Sequence, residues 1–285
     1  TIVNNIQPQG TWIDGTFGAG GYSRALLESG AVKVFGIDKD PNVIKLSQDL
    51  SEEFSGRFSF FLGKFSKVEE FVDKAIVDGV IFDLGVSSMQ LDQAKRGFSF
   101  RHDGPLDMRM GEGGLSAADI VNSFEEEEIA DILFQYGEEK SSRLIAKKIV
   151  SARPITSTLS LSTIIHGCFN NRTDPKTHPA TKSFQALRIA VNDELAELVR
   201  GLEAAERILK PGGELVVVTF HSLEDRIVKK FLRSRSIGKG NANRHSPTSE
   251  NVSPSFILKS SKPYLVKDNE RQSNPRSRSA KLRIA

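Results

Sequence analysis

The chain has 285 residues, 38% of them hydrophobic and 26% charged, which is typical of one large globular domain or one domain carrying an insert. Its single cysteine excludes an internal disulfide framework and fits a reducing cytoplasm, and no apolar run is long enough to span a bilayer. Residues 226–285 contain 15 Lys and Arg against three acidic residues, a net of +12, whereas residues 1–225 contain 24 basic and 33 acidic side chains, a net of −9. This basic segment indicates a polyanionic partner, the alternative being a flexible solvated tail.

The first third of the chain alternates short β-rich runs with helical stretches. Strands are predicted at 11–14, 32–38, 58–62 and 80–84, and helices from a glycine turn to Ser29, at 41–50 and at 67–77. Strands and helices at this spacing predict βαβ units around a parallel sheet.

The alternation stops between about Gln93 and Thr181, where helices are predicted at 129–136 and 141–152. We interpret this region as a helical insert at 96–181, so that 1–95 and 182–285 form one discontinuous domain. A single helix is predicted from Phe184 to Leu209, followed by strands at 214–219, 256–259 and 281–284.

Two further local features lie in the last third of the chain. Ser222 and Asp225 have the spacing of a capping box, which predicts the start of a helix that reaches Arg233. Residues 237–255 are polar and rich in Gly, Asn and Ser, and they predict a mobile loop.

The glycine-rich turn after the first strand is the first sign of a ligand. Asp14 begins DGTFGAGGYS, in which the acid is followed by G-x-x-G-x-G rather than by the dinucleotide pattern G-x-G-x-x-G. Glycines there let a ligand approach the backbone and the free N–H groups of the helix start. The form favours an adenosyl amino acid without a pyrophosphate, the alternative being a tight turn with no ligand.

Acids close three of the predicted parallel strands, where ligands of open α/β sheets bind. Asp38 is placed to accept hydrogen bonds from two ribose hydroxyls, and Asp40 is interpreted as a helix cap. Asp83 is the third such acid, after Asp14 and Asp38. A purely structural explanation of all three acids is difficult. Phe65 follows the third strand and either stacks on an adenine or packs in the core.

Seven long stretches resemble the MraW/RsmH family of bacterial methyltransferases, and together they span nearly the whole chain. They are DGTFGAGG at 14–21, DLGVSS at 83–88, RGFSFRHDGPLDMRM at 96–110, YGEEK at 136–140, HPATKSFQALRIAVNDEL at 178–195, PGGELVVVTFHSLEDRIVKKF at 211–231 and NPRSRSAKLRIA at 274–285.

The resemblance implies a Rossmann-like class I methyltransferase domain, an α/β fold with a mostly parallel seven-stranded sheet, and an inserted all-helical domain for substrate recognition. It implies methyl transfer from S-adenosylmethionine to the exocyclic N4 of a cytidine in small-subunit ribosomal RNA, with Asp83 as the catalytic residue. The cofactor contacts that it implies are Gly20, Gly21, Tyr22, Asp38, Phe65, Asp83 and Gln90.

The chain departs from the family pattern in three ways. Tyr22 stands where the family usually has His, so we expect a contact through the backbone alone. Met89 stands where the family usually has Pro, although Gln90 stays in register. We also expect that a segment usual before the first strand was removed or left out.

Several polar groups keep two interpretations. The stretch 96–109, rich in Arg and Asp, is either a loop over the acceptor base or a salt-bridged turn, and His221 either contacts a base or makes a structural hydrogen bond. The five histidines lack metal-ligand spacing, so we predict no required metal.

Three functions rival that of an RNA methyltransferase. A NAD-dependent oxidoreductase is disfavoured by the glycine pattern, and a DNA amino-methyltransferase by the absence of a Pro-Pro-aromatic turn after Asp83. A non-catalytic RNA-binding protein would bind RNA without moving a methyl group. The sequence leaves open whether the substrate is naked RNA or the assembled subunit, and whether the protein is a monomer or a homodimer.

Overall fold

The computed structural model describes residues 6, 8–72, 77–169, 178–236 and 254–285, and these form a seven-stranded sheet and eleven α-helices. The strands are β1 Thr11–Asp14, β2 Lys33–Asp38, β3 Phe58–Leu62, β4 Val77–Asp83, β5 Leu209–Thr219, β6 Tyr264–Leu265 and β7 Lys281–Ile284. The helices are α1 Gly21–Glu28, α2 Ile44–Glu53, α3 Ser88–Asp92, α4 Ala117–Ser123, α5 Glu126–Gly137, α6 Ser142–Ser151, α7 Thr158–His166, α8 Thr181–Asn192, α9 Glu194–Ile208, α10 Ser222–Ser236 and α11 Asp268–Ser273.

The strand order is β3-β2-β1-β4-β5-β7-β6. Strands β1 to β5 pair in parallel, whereas β7 is antiparallel to both β5 and β6. The central strand β4 is almost continuously buried, as expected for a parallel strand that is covered on both faces. This topology confirms the predicted Rossmann-like α/β fold with a mostly parallel seven-stranded sheet.

The chain divides into two compact units, which we call the sheet unit and the helical unit. The sheet unit comprises residues up to Gly85 and from Leu195 onward, and the helical unit comprises Val86–Glu194. Among the described residues, no helix combines the length and the apolar character that crossing a bilayer requires.

The core of the sheet unit is built from the apolar faces of its strands and helices. In α9, Leu198, Leu202 and Ala205 recur at helical spacing and are fully buried. They pack with Val80 and Val217 of the central strands in one hydrophobic cluster. The apolar stripe of the helix and the apolar strands therefore bury each other, as the sequence pattern predicts.

The helical unit has its own hydrophobic core. Helix α5 buries Ile129 and Leu133, and α8 buries Phe184 and Leu187 in the same cluster. Because α8 contributes to this core, the helical unit extends past the predicted insert end at 181, and it begins at Val86 rather than at 96.

The helix predicted from Phe184 to Leu209 is in fact two helices. Asp193, with φ of 50°, interrupts the helical backbone between α8 and α9. The apolar spacing continues across the break, so periodicity alone does not reveal it.

Two other predicted elements are wrong. A short 3₁₀ helix at Phe65–Glu70 replaces the helix predicted at 67–77, and strand β4 already begins at Val77. Residues 256–259 form no strand, although the Lys259 N–H donates to the Ile284 carbonyl, and the edge strand is β6 instead. The loop predicted at 237–255 lies almost entirely outside the described residues.

Candidate active site

The carboxyl ends of three neighbouring strands each place an acid at the same edge of the sheet. Asp14 ends β1, Asp38 ends β2 and Asp83 ends β4, and the strands are adjacent in the order β2-β1-β4. Since ligands of open α/β sheets bind beyond the carboxyl ends of the strands, this edge is the candidate site.

Asp14 has a structural role that the sequence pattern does not reveal. Its Oδ2 accepts hydrogen bonds from the N–H of Ser23 at 3.1 Å and from its hydroxyl at 2.8 Å, and its Oδ1 accepts from the Thr16 N–H at 3.3 Å. Burial raises the pKa of Asp14 to about 6, while the Ser23 hydroxyl opposes that rise. Asp14 therefore fixes the glycine turn to the first turn of α1, and its place at a strand end needs no ligand.

The two glycines that open α1 differ in their surroundings. Gly20 is buried with φ of 77°, and a Cβ atom there would lie 2.8 Å from the Phe17 ring. Gly21 is exposed, and a Cβ atom there would meet nothing within 4 Å. Gly20 is thus required by the turn, whereas Gly21 borders open space that a ligand can enter.

Asp38 holds the turn through backbone groups. Its Oδ2 accepts from the Gly18 N–H at 2.7 Å, and its Oδ1 accepts from the Asp40 N–H at 2.9 Å. Burial raises the pKa of Asp38, and these two N–H groups oppose the rise. Each carboxylate oxygen can accept a second hydrogen bond, so the predicted ribose contact stays chemically open. Asp40 caps the helical turn at Pro41 as predicted, by accepting from the Asn42 N–H.

Asp83 is the acid with unused hydrogen-bonding capacity. Its backbone N–H donates to the Thr16 hydroxyl at 2.7 Å, and the Tyr22 hydroxyl lies beside its carboxyl. Its Oδ1 is buried and has no hydrogen-bond partner in the described part of the chain. Burial, together with the charges of Asp14 and Glu224, raises the pKa of Asp83 to about 7, against the opposing effect of the Tyr22 hydroxyl. A buried, unpartnered carboxylate oxygen is the group that a ligand N–H would satisfy.

The side chain of Tyr22 lies beside Asp83, and the expectation that Tyr22 contacts the cofactor through the backbone alone stays a prediction. It is half-buried on the first turn of α1, and burial and the charges of Asp83 and Asp14 raise its pKa. The hydroxyl therefore stays protonated at neutral pH and can donate to the neighbouring Asp83 carboxyl.

Glu224 is a second buried acid at this edge, and the sequence pattern did not single it out. Its Oε2 accepts from the N–H groups of Phe220 at 2.8 Å and His221 at 3.3 Å, so it closes the start of α10. Asp225, predicted for that role, instead pairs with Lys281 and Arg283. A Glu three residues after His221 was the available signal, but Ser222 is the stronger capping residue type and drew the assignment.

Two roles were proposed for His221, a contact with a base and a structural hydrogen bond. The structure shows a contact of the second kind. Its Nδ1 lies 3.5 Å from the Glu224 N–H, and its Nε2 lies 3.1 Å from Glu224 Oε1.

Phe65 packs in the core of the sheet unit. Its ring centroid lies 4.7 Å from that of Phe82, and a Cβ atom on Gly201 would lie 2.1 Å from its ring. This packing explains why Gly201 is needed in α9. Phe65 remains half-buried, so packing accounts for one side of the ring and the adenine contact stays a prediction.

Gln90 belongs to the helical unit, whereas the other predicted cofactor contacts belong to the sheet unit. It is buried, and its Oε1 accepts from the Ser87 N–H at 3.0 Å while its own N–H donates to the Ser87 hydroxyl. The two residues form the capping box of α3. This gives Gln90 a structural role, and its cofactor contact stays a prediction.

The polar stretch at 96–109 is largely a bonded turn within the helical unit. Arg96 donates to the carbonyls of Arg109 and Met110, and Asp107 pairs with Arg109 at 2.7 Å. Arg101 and His102 are exposed. These contacts favour the salt-bridged turn for most of the stretch.

Comparison with known sequences identifies the family. The profile described as the MraW methylase family matches residues 2–285. The chain belongs to the MraW methylase family. Ribosomal RNA small subunit methyltransferase H from Roseobacter denitrificans is 55% identical, with 100% of this chain and 87% of that protein aligned. The protein of the same name from a strain of Methylorubrum extorquens is 55% identical, with 98% and 81% aligned.

Membership of the MraW methylase family confirms the predicted class of S-adenosylmethionine-dependent methyltransferases and the predicted cofactor. A solved putative methyltransferase from Streptococcus mutans in complex with SAH aligns with 97% of this chain and 87% of its own, at 13% identity and a TM-score of 0.43. The residues at the sheet edge fit this cofactor, because Asp38 and Asp83 retain free acceptor capacity and Gly21 borders open space.

Proposed function

We propose that the chain transfers a methyl group from S-adenosylmethionine to the exocyclic N4 of a cytidine in small-subunit ribosomal RNA. The relatives at 55% identity are named ribosomal RNA small subunit methyltransferase H, which supports the RNA substrate. The single observation that carries the chemistry is the buried, unpartnered Oδ1 of Asp83 at the carboxyl edge of the sheet. A nucleophilic amino group needs an acceptor of this kind.

The cofactor contacts that we propose for this chain are the ones that the family resemblance implies. When bound, S-adenosylmethionine supplies a methyl group on a positively charged sulfur. Gly20 and Gly21 would let it approach the backbone at the start of α1, Asp38 would accept from its ribose hydroxyls, and Phe65 would lie beside its adenine. Tyr22, Asp83 and Gln90 complete the proposed set.

Asp83 would orient the acceptor amino group. The lone pair of a cytosine amino nitrogen is delocalised into the ring, so this nitrogen is a poor nucleophile. By accepting a hydrogen bond from its N–H, the Asp83 carboxylate favours a pyramidal nitrogen whose lone pair is available. Most of the remaining rate enhancement comes from alignment of the reacting groups.

Asp83 is also placed to take up the proton that the amino group releases. Because the pKa of Asp83 is about 7, a large fraction of its carboxyl group is ionised at neutral pH and can accept a proton. The protonated carboxyl group that results is not strongly disfavoured at the same pH. Tyr22 holds the carboxyl group in one orientation without competing for the proton, because its own pKa is raised.

The RNA must present an unstacked base, which suits a single-stranded segment. We propose the helical unit, Val86–Glu194, as the substrate-recognition domain. Either naked ribosomal RNA or the assembled small subunit would serve as substrate in the cytoplasm, and a homodimer is one alternative for the oligomeric state.

Isotopically labelled S-adenosylmethionine and small ribosomal subunits from cells that lack this activity test the proposal. Nucleoside mass spectrometry should detect the label on the N4 of a cytidine. Naked ribosomal RNA, run in parallel, distinguishes the two substrate forms. Label on another nucleoside, or RNA binding without any transfer, would contradict the proposed function.

A further inference from the structure

The sheet unit contains a cavity of about 310 Å³ between α10 and the end of the chain. It is lined by Lys229, Leu232, Arg233, Ser236, Leu258, Ser260, Ser261, Arg283 and Ile284. We call it the α10 pocket. Its volume lies at the lower end of the range of small-ligand sites.

Three cationic side chains line the α10 pocket. Lys229 and Arg233 are exposed, and because they are four residues apart on α10 they lie on one face of the helix. Neither makes an ion pair with any residue that the structure describes. Their charge is therefore available to an anion.

Arg283 is the third cation, and it is built into the wall of the pocket. It is 8% exposed, and its Nε donates to Asp225 Oδ1 at 2.8 Å. Asp225 also pairs with Lys281, so this carboxylate is shared by two cations. The bond through Nε fixes the guanidinium, whose other nitrogens can donate to the oxygens of an anion such as phosphate.

The rest of the lining suits a nucleotide better than a bare anion. Leu232 and Ile284 are buried apolar residues and Leu258 is half-buried, so they offer an apolar floor to a sugar or a base. Ser260 and Ser261 supply hydroxyl groups that can donate or accept hydrogen bonds. Of the two features that bind single-stranded nucleic acid, a cationic groove and aromatic stacking residues, the lining supplies the cations, with aliphatic side chains in place of the aromatic ones.

The α10 pocket lies toward the opposite end of the sheet from Asp83. Strand β7 runs antiparallel to β5, with Lys281 beside Thr219 and Ile284 beside Val216. The end of β7 that lines the pocket is therefore displaced from the carboxyl edge by about three residues, roughly 10 Å at the rise of a strand.

We infer that the α10 pocket binds a nucleotide of the RNA strand outside the reaction centre, with a phosphate on Lys229 and Arg233. The inference rests on the proposed function for the identity of the nucleic acid. It gives the basic C-terminal segment a defined contact, in place of a diffuse electrostatic attraction. Such a contact positions the strand and carries no sequence information.

Direct binding of a single-stranded RNA oligonucleotide to the full chain, measured by fluorescence anisotropy without cofactor, tests the inference. The double variant Lys229→Gln/Arg233→Gln should bind several-fold more weakly. Its slope of log affinity against log salt should fall by about 0.7 for each phosphate that the variant side chains no longer neutralise. The matched control is Lys230→Gln, since Lys230 is an exposed lysine of the same helix that does not line the pocket.

A second variant separates the cavity from its charge. Ser261 is exposed, so Ser261→Trp should fill the pocket without altering the net charge or the core. It should weaken RNA binding while Lys230→Gln does not. Equal losses for the pocket variants and Lys230→Gln, or no loss in Ser261→Trp, would overturn the inference.

The two proposals fail separately. If the pocket variants lose RNA binding and no methyl group is ever transferred, the α10 pocket stands and the proposed function fails. If methyl transfer to RNA is observed and the pocket variants bind RNA like the unmodified protein, only the α10 pocket fails.

Discussion

The Tyr22 hydroxyl on the first turn of α1 lies beside the Asp83 carboxyl at the end of β4 and lowers its pKa. The same carboxyl keeps one buried oxygen without a hydrogen-bond partner among the described residues. Asp83 can therefore accept a further hydrogen bond from a ligand. The chemistry expected of this protein depends on that carboxyl group.

Replacing Tyr22 by Phe should shift the pH dependence of methyl transfer. The Tyr22 hydroxyl lowers the pKa of Asp83, so its loss moves that pKa above about 7. Fewer molecules then carry an ionised Asp83 at neutral pH, and the acid limb of the rate profile moves to higher pH. Single-turnover rates measured across this range should show a deficit at neutral pH that shrinks as the pH rises.

The matched control for this shift is Tyr264→Phe. Tyr264 is 37% exposed in β6, where it is not part of the candidate site. An acid limb that stays in place in Tyr22→Phe would show that the hydroxyl does not tune Asp83.

Replacing Asp83 by Asn should stabilise the folded protein at pH above about 7. Burial raises the pKa of Asp83 from 3.8 to about 7, so the folded state holds a proton that the unfolded chain releases, and stability falls as the pH rises through that range. One unit of pKa difference is worth about 1.4 kcal/mol, and partial exposure reduces the full effect to an order of 2 kcal/mol.

Urea unfolding near pH 4 and near pH 8 measures this effect. The gain of Asp83→Asn over the unmodified protein should be present at the higher pH and largely vanish at the lower one, where Asp83 is protonated in the folded state and about half protonated in the unfolded chain. Asp49→Asn, an exposed carboxylate of α2, should show no such difference. A loss of stability at the higher pH would mean that Asp83 is not a strained buried acid.

The glycines that open α1 should separate stability from cofactor binding. Gly20→Ala places a side chain at φ of 77° and 2.8 Å from the Phe17 ring, which should cost about 1–3 kcal/mol of unfolding free energy. Gly21→Ala meets no atom within 4 Å, so it should leave stability unchanged or slightly higher.

Calorimetric titration with S-adenosylmethionine completes the comparison of the two glycines. Gly21→Ala should bind it more weakly although the protein is as stable as before, because the added methyl group occupies the space proposed for the ligand. Unchanged affinity in Gly21→Ala would remove this glycine from the proposed cofactor contacts.

The strands and the strand-end acids could be predicted because their signals are local. The strand at Phe58–Leu62 has the predicted bounds. Asp38 and Asp83 each follow an apolar run that is too short for a helix, which predicts a strand that ends at the acid. The family resemblance then supplied the roles that the pattern alone left open.

The parts that failed depend on tertiary contacts. Nothing in the apolar spacing marks the break at Asp193. The residues before the break bury their apolar faces in one hydrophobic cluster and the residues after it in another, and only tertiary contacts decide this difference. The partners of Asp225 lie in β7 and follow 56 and 58 positions later in the chain. The use of the Tyr22 side chain depends on Asp83, which is equally remote in sequence.

The most direct test of the account is the single-turnover rate of Asp83→Asn with saturating S-adenosylmethionine and small ribosomal subunits. The substitution keeps the size of the side chain and an oxygen that can accept from Tyr22, but it removes the charge and the proton acceptor. The account predicts a folded variant whose methyl transfer is slower by roughly 10²-fold or more. A variant that transfers the methyl group at the rate of the unmodified protein would contradict the role assigned to Asp83.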